Sequence, residues 1–455
     1  MPPTATRASL QAVIDAASAA GGGDILLTSN IVTDGTSIVM KSNVVLDGGP
    51  RYYSLKASAD STSHVVLSNL GPSSSSVFNL VANNTRGISN FSVSALNISS
   101  FQAGDLALLS RGSLNGDTTL SLIQVHEICE VDTAANVLIF CNPIVHDYMV
   151  TRFPLPTIQR VTANSMQFGV RRLTLDMNGN TGTTSQLLQF TYTKNIRIEK
   201  IRLRGNCRVS SSNAFGVKGV VDSLISDIHS RIQQTTTTRD INIDQTENTI
   251  AEKIWSKYTG GFGPNLDEAH DSLVTQMFTM HQTGRGFRVD RSSDTQTSNL
   301  FSSGHISATS TGLFHAFGSC MNSAVSFTTR GTNAYGYSTQ GILDDNNVVL
   351  GMISSAQASG DVAFNAGTNG NYVLAKALTG AAVFDAGSNL VDSLRVNSRI
   401  RSQTVAPLTA RMTSAQLPDL FSIALSVRND TWAAINYRGS DTIVREALIP
   451  LLLTT

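Results

Sequence analysis

The chain has 455 residues and balances 33 basic against 33 acidic side chains, so no global basic field draws it to nucleic acid or to an anionic membrane surface. Charged residues make up only 15% of it, below the usual quarter, and Ser, Thr, Asn and Gly fill the gap. That composition suits many short strands joined by turns and excludes an architecture of long solvated helices. No membrane insertion is expected either, because an apolar run such as residues 447–453 is far too short to span a bilayer.

The first element is a helix over residues 9–20. Leu10, Val13, Ile14 and Ala17 recur at helical spacing, Ser9 is placed to cap the start, and Gly21-Gly22-Gly23 stops it. Three short β runs follow, at residues 24–27, 36–40 and 43–47, each broken by Gly, Asn, Asp or Ser. A helix leading into short strands and tight turns is how a stack of strands closes its open hydrophobic end. Met1-Pro-Pro-Thr has no basic n-region, so no export signal is expected.

Residues 51–160 do not repeat. Runs at 120–131 and 136–144 alternate around Asp132 and read as a hairpin. The four cysteines, Cys129, Cys141, Cys207 and Cys320, have no metal spacing. Cys129 and Cys141 could pair across the hairpin, but buried free thiols are the expectation. From about residue 161 a repeat sets in. One apolar ladder runs through Phe190, Phe215, Ile241, Leu266, Phe287, Leu313, Ile342, Phe364 and Phe384, in steps of 20 to 29 residues. A second runs through Leu173, Ile201, Ile228, Ile254, Phe278 and Ile306, in steps of 24 to 28. Two ladders advancing together mean one coil per repeat, with interior rows of apolar side chains and stacked asparagines at the turns. A β-sandwich or propeller is the competing arrangement. The ladder fades after Leu394. The expected organisation is a cap and first coil at 1–50, a small β insert at 51–160, the main stack at 161–402, and a β-rich cap or oligomerisation segment at 403–455.

The residues Ile38-Val39-Met40-Lys41-Ser42-Asn43-Val44-Val45-Leu46-Asp47-Gly48, entered from a helix through a Gly-rich turn, resemble the N-terminal cap and first coil of the pectate-lyase-like superfamily. That resemblance implies an all-β fold: a right-handed single-stranded parallel β-helix. The run Phe101-Gln-Ala-Gly-Asp-Leu-Ala-Leu, then the hairpin, then Asn142-Pro-Ile-Val-His-Asp-Tyr148 resembles a small insert of phage tailspikes. It implies a homotrimeric spike on a virion tail, in contact with other virion proteins, that binds bacterial surface polysaccharide and often cleaves it. A bacterial polysaccharide lyase or epimerase, secreted, is the alternative, and a non-catalytic fibre or adhesin a further one. Many functions use this superfamily.

No zinc motif, phosphate loop or nucleophile elbow is present, and no cofactor is expected. The ladder instead collects carboxylates on the outer face of the middle coils. Asp244 lies three residues after Ile241 and Asp290 three after Phe287. Asp267, Glu268, His270 and Asp271 follow Leu266, and His315 follows Leu313. Carboxylates one coil apart would lie about 5 Å apart, the separation of a retaining glycosidase pair; those two coils apart, nearer ~10 Å, reach the inverting range. Asp244, Asp267, Glu268, Asp271, Asp290 and His315 are therefore the catalytic candidates, and on this reading Asp290→Asn abolishes cleavage while sparing the fold. Against it, Asp is common at strand-ending turns, where it accepts from backbone N–H groups. Arg285 and Arg288 are candidates to hold an acidic sugar or to stabilise an enolate in a lyase, with ion pairing to Asp290 as the plainer role. Trp255 and Tyr258 are placed to stack on sugar rings, and His270 to bind substrate. Asp267, Glu268 and Asp271 would hold calcium if the protein is a lyase.

Overall fold

The computed structural model describes residues 6–58, 65–67, 76–111, 123–151, 155–161, 166–177, 186–207, 214–234, 240–257, 262–280, 282, 285–292, 294–304, 311–316, 322–331, 335–340, 346–355, 360–364, 368, 370–377, 383–384 and 389–393. The expected segment at 403–455, Tyr258, Ile306 and Ile342 lie outside them. The chain forms two compact units, Met1–Val274 and Thr275–Thr455. Each is built of stacked parallel strands, so the fold is a parallel β-helix. No helix among the described residues is long and apolar enough to cross a membrane.

In the first unit the helix spans Arg7–Ala19, starting earlier than the apolar spacing predicts. Thr6, not Ser9, is the N-cap. Its hydroxyl accepts from the Ser9 backbone N–H at 3.2 Å, while the Ser9 side chain accepts from the Thr6 N–H at 2.9 Å, closing a capping box. Leu10 and Ile14 are buried, whereas Val13 stays half exposed. Gly22, at φ +117°, ends the helix; a Cβ there would lie 2.3 Å from the carbonyl oxygen of Asn43. The helix also stands in for a strand. Gln11 accepts from the Val39 N–H at 2.8 Å and donates to the Val39 carbonyl at 3.0 Å, giving that residue the pairing another coil would have supplied.

One sheet of this unit stacks Gly23–Leu26, Val44–Asp47, Gly169–Arg171, Arg197–Cys207, Leu224–Gln234 and Ile250–Lys257 in parallel. A second stacks Ile38–Val39, Val66–Leu67, Leu188–Lys194, Phe215–Val221, Ile241–Asp244 and Asn265–Asp267. The predicted row Ile201, Ile228, Ile254 is in register and buried. The other ladder slips by two residues at two steps. Phe190 pairs with Val217 rather than Phe215, and Leu266 with Ile243 rather than Ile241. A slip of two keeps every side chain on its own face, so the interior stays apolar and the spacing alone does not reveal the error.

Between two coils the chain leaves the stack and forms a six-stranded antiparallel sheet from Val77–Asn79, Asn90–Ser92, Leu106–Ser110, Ile123–Asp132, Val137–Phe140 and Thr157–Val161. Its own core includes Phe91, Phe140, Tyr148, Leu109 and Ile158. The turn at Asp132 is fixed by its carboxylate, which accepts from the N–H groups of Ala134 and Ala135. Cys129 and Cys141 are not free thiols. A bulge after Ile128 brings their Cα atoms to 5.1 Å and they form a disulfide across the hairpin.

In the second unit, Gln296–Ser303, Ser323–Arg330, Val348–Ser355, Tyr372–Ala377 and Leu390–Ser393 form one parallel stack. Phe287–Asp290, Leu313–Ala316, Tyr335–Gln340, Gly360–Ala363 and Val383–Phe384 form another. Phe287 pairs with Leu313 as predicted, and Leu313 then pairs with Tyr337. At one corner Asn322, Asn347, Asn371 and Asn389 are buried and stacked. Each amide donates to the next side-chain carbonyl at 3.0, 3.0 and 2.9 Å.

Candidate functional site

Strand alternation in the first unit sends Ile241 and Ile243 inward and Asp244 outward. Asp244 is the register partner of Lys218 on one side and of Asp267 on the other. The two carboxylates therefore stand on consecutive coils, with backbones about 4.8 Å apart. Asp244 is the one that solvent reaches, at 17% side-chain exposure, and the Lys218 ammonium lies 3.8 Å from its Oδ2. Asp267 is buried at 4%. The next residue, Glu268, turns the corner in the left-handed region at φ 53°, directly beyond Gln245, which does the same at φ 52°. The Gln245 amide donates to Glu268 Oε2 at 2.8 Å and holds that carboxylate in place. Tyr192 lies by the same row; burial pushes its phenol up, against the pull of the Lys218 charge. Asp244, Asp267 and Glu268 thus come from two consecutive coils. Among the described residues no group of three or more His, Cys, Asp or Glu side chains is arranged to hold a metal ion.

Asp271 is exposed at a corner of the first unit. His270 is buried against the insert: its Nε2–H donates to the Ile123 carbonyl at 3.2 Å, and its ring meets that of His146 edge-on at 5.2 Å. Burial holds it neutral, with its pKa pushed down to about 3. It helps seat the insert, and sugar has no path to its bonded nitrogen. The same junction holds a buried pair, His126 Nδ1 and Glu247 Oε1, 2.7 Å apart, and an ion pair of Lys194 with Glu127. Burial raises the Glu247 carboxyl, and the imidazole opposes it.

In the second unit Asp290 is buried at 1% and paired with Arg288, the plainer role, although inside the protein rather than on its surface. Asp290→Asn would weaken that pair, so a loss of stability is expected beside any loss of cleavage. Arg285 lies over the ring of Phe314, 3.5 Å from its centroid. His315 is buried, shares a hydrogen bond with the Tyr337 hydroxyl at 3.0 Å, and is pushed down to about 3 by desolvation.

Trp255 is 40% exposed on the first unit and stacks on His229, with centroids 5.8 Å apart and planes 8° from parallel. His229, and Arg202 beside it, were not predicted. The signal was present: each is the residue after a member of the ladder Ile201, Ile228, Ile254, and so points outward in register.

No protein-family model matches the chain, and no curated protein does. Among solved structures it is similar to the tailspike gp61 of Pseudomonas phage phi297, at 10% identity and TM-score 0.45, over 88% of this chain and 74% of that one. It is also similar to the A-module of the mannuronan C-5 epimerase AlgE4 of Azotobacter vinelandii, at 14% identity and TM-score 0.42, over 88% and 95%. A third is the surface protein and adhesin PfbA of Streptococcus pneumoniae, at 10% and 0.42, over 88% and 95%. At this level of likeness the strand pairing of the chain itself establishes the fold, and no residue takes a role from these neighbours.

Proposed function

We propose that this β-helix binds a bacterial surface polysaccharide and cleaves it by glycoside hydrolysis, with Asp244 and Asp267 as the reacting pair. The observation that supports it is their register: two carboxylates on consecutive coils, one of them open to solvent. Coils about 4.8 Å apart would set the two carboxyl groups near the ~5 Å of a retaining pair if both side chains project alike. In that scheme one carboxylate attacks the anomeric carbon while the other, protonated, gives its proton to the leaving oxygen. The second then takes a proton from the water that releases the sugar. Glu268, held by Gln245, lines the same place. The sequence resemblance to tailspikes carries the rest of the reading, a homotrimer on a virion tail in contact with other virion proteins.

Incubation of the full chain with a panel of capsular and lipopolysaccharide glycans tests this, with product analysis and solution size measured together. Degradation of one glycan is expected, and Asp244→Asn and Asp267→Asn should each slow it by ~10²–10⁴-fold with an unchanged circular dichroism spectrum. Wild-type rates in both variants would refute the pair. An unsaturated sugar in the product would refute hydrolysis, and a clean monomer would refute the spike.

A further inference from the structure

We infer that the outer face of the other sheet of the first unit carries a second, non-catalytic site for an anionic glycan, centred on a column of flat side chains from Tyr52 to Trp255. The strands Arg197–Cys207, Leu224–Gln234 and Ile250–Lys257 bury Ile201, Ile228 and Ile254, which forces the next residue of each outward. Those residues are Arg202, His229 and Trp255, register partners on three consecutive coils. The Arg202 guanidinium lies 4.0 Å from the centroid of the Tyr52 ring, and His229 stacks on Trp255. The column is open: the His229 side chain is 48% exposed and Trp255 is 40% exposed. A Trp so exposed on a sheet face loses apolar burial that a core position would have given it, and a ligand ring can restore that burial.

The charge around the column is local and one-sided. A groove of about 390 Å³ runs beside it, lined by Lys200, Arg202, Arg204 and Arg231 against the single carboxylate of Asp227. Asp227 is already engaged with His229 at 2.8 Å. Arg204 bonds to Asp176 at 3.0 Å, but the arginine side chain is 55% exposed, and such surface pairs hold weakly. Among the described residues no carboxylate pairs with Lys200, Arg202 or Arg231. In a chain with no net charge this is a concentrated cationic strip, and guanidinium forks are suited to carboxylate, sulfate or phosphate groups.

Sugar fits the geometry better than a nucleic-acid base. A pyranose can rest across the offset ring edges while its acidic group reaches the adjacent guanidinium. The coil spacing of about 4.8 Å is close to the length of one sugar unit, so successive units meet successive coils. This site stands on a different sheet from Asp244 and Asp267 and does not depend on their chemistry.

Calorimetric titration of the full chain with hyaluronan oligosaccharides, whose alternate units carry a carboxylate, tests the site, with neutral dextran and an oligothymidylate of matched charge as the other arms. Hyaluronan should bind and weaken as salt rises, and dextran should not bind. Trp255→Ala and Arg202→Ala should each raise Kd at least tenfold, with Trp255→Phe restoring most of the loss. Because both positions are exposed, circular dichroism should be unchanged. No hyaluronan binding, equal binding by all variants, or oligothymidylate binding in place of hyaluronan would each overturn the inference. Asp244→Asn taken through the same titration separates the two readings: binding kept with no glycan ever degraded removes the hydrolase alone, and cleavage kept with no hyaluronan binding removes the second site alone.

Discussion

Asp240 opens the strand Ile241–Asp244, and replacing it with Asn should make the protein's stability less sensitive to pH in a defined direction. Its side chain is fully buried, and the Ser256 hydroxyl donates to its Oδ2 at 2.6 Å. Burial raises its pKa from the ordinary 3.8 to about 6, with the bond from Ser256 opposing. The folded state thus holds the proton more tightly than the unfolded one. That contribution is fully present below pH 3.8, falls as pH rises through about 6, and is absent above it. A shift of about two units at about 1.4 kcal/mol each is worth about 3 kcal/mol. Asn keeps an acceptor for Ser256 and does not titrate. The stability of wild type minus that of Asp240→Asn should therefore drop by about 3 kcal/mol between pH 3.5 and 7, placing the variant ahead at neutral pH. Urea titrations followed by the emission of Trp255, with Trp432→Phe in both proteins, read this difference, because the two share all other titrating groups. A difference constant within about 0.5 kcal/mol across that range would refute the buried, proton-holding carboxyl.

Three further outcomes are expected. Asn347→Ala removes a rung that bonds to both Asn322 and Asn371, leaving two buried amides short of a partner; a loss of about 2–4 kcal/mol in the second unit is expected by urea unfolding, and a loss below about 0.5 would show that the stack is incidental. Cys129→Ser with Cys141→Ser opens a short loop and should cost the insert about 3 kcal/mol, read as faster proteolysis in the hairpin, while the glycan assays on the coils are unchanged. Asp290→Ala should destabilise by about 3 kcal/mol or more and Asp290→Ala with Arg288→Met by less, because the second change removes the stranded charge; equal losses would show that the pair is not coupled.

The fold was legible because its signals are local and periodic. The cap helix, the triple glycine and the alternation around Ile201, Ile228 and Ile254 each follow from spacing that a strand or helix imposes on its own residues. The register at Phe190 and Ile241 was less so, since two neighbouring inward positions both offer an apolar side chain and only backbone pairing chooses between them. The candidate site was legible to the extent that it follows the coil: Asp244 beside Asp267 is a consequence of one residue per row. Burial was not. His270 is covered by Ile123, 147 residues away in sequence, and nothing near His270 announces an insert that folds back over it. Asp290 and His315 were placed at strand ends, where exposure is the ordinary expectation, but Arg288 and Tyr337 enclose them. The disulfide needed the bulge at Ile128, a backbone irregularity that alternation counts do not register.

The carboxamide of Gln11 gives Val39 both of its backbone partners, so the strand Ile38–Val39 has its outward-facing groups at that residue already paired. A parallel stack otherwise has no intrinsic length, since each edge is a template for the next chain as readily as for the next coil. One side chain on a helix of thirteen residues therefore acts, for that strand, as a terminator in the polymer sense. It closes that edge against a further strand, and it does so without adding anything to the binding of a ligand.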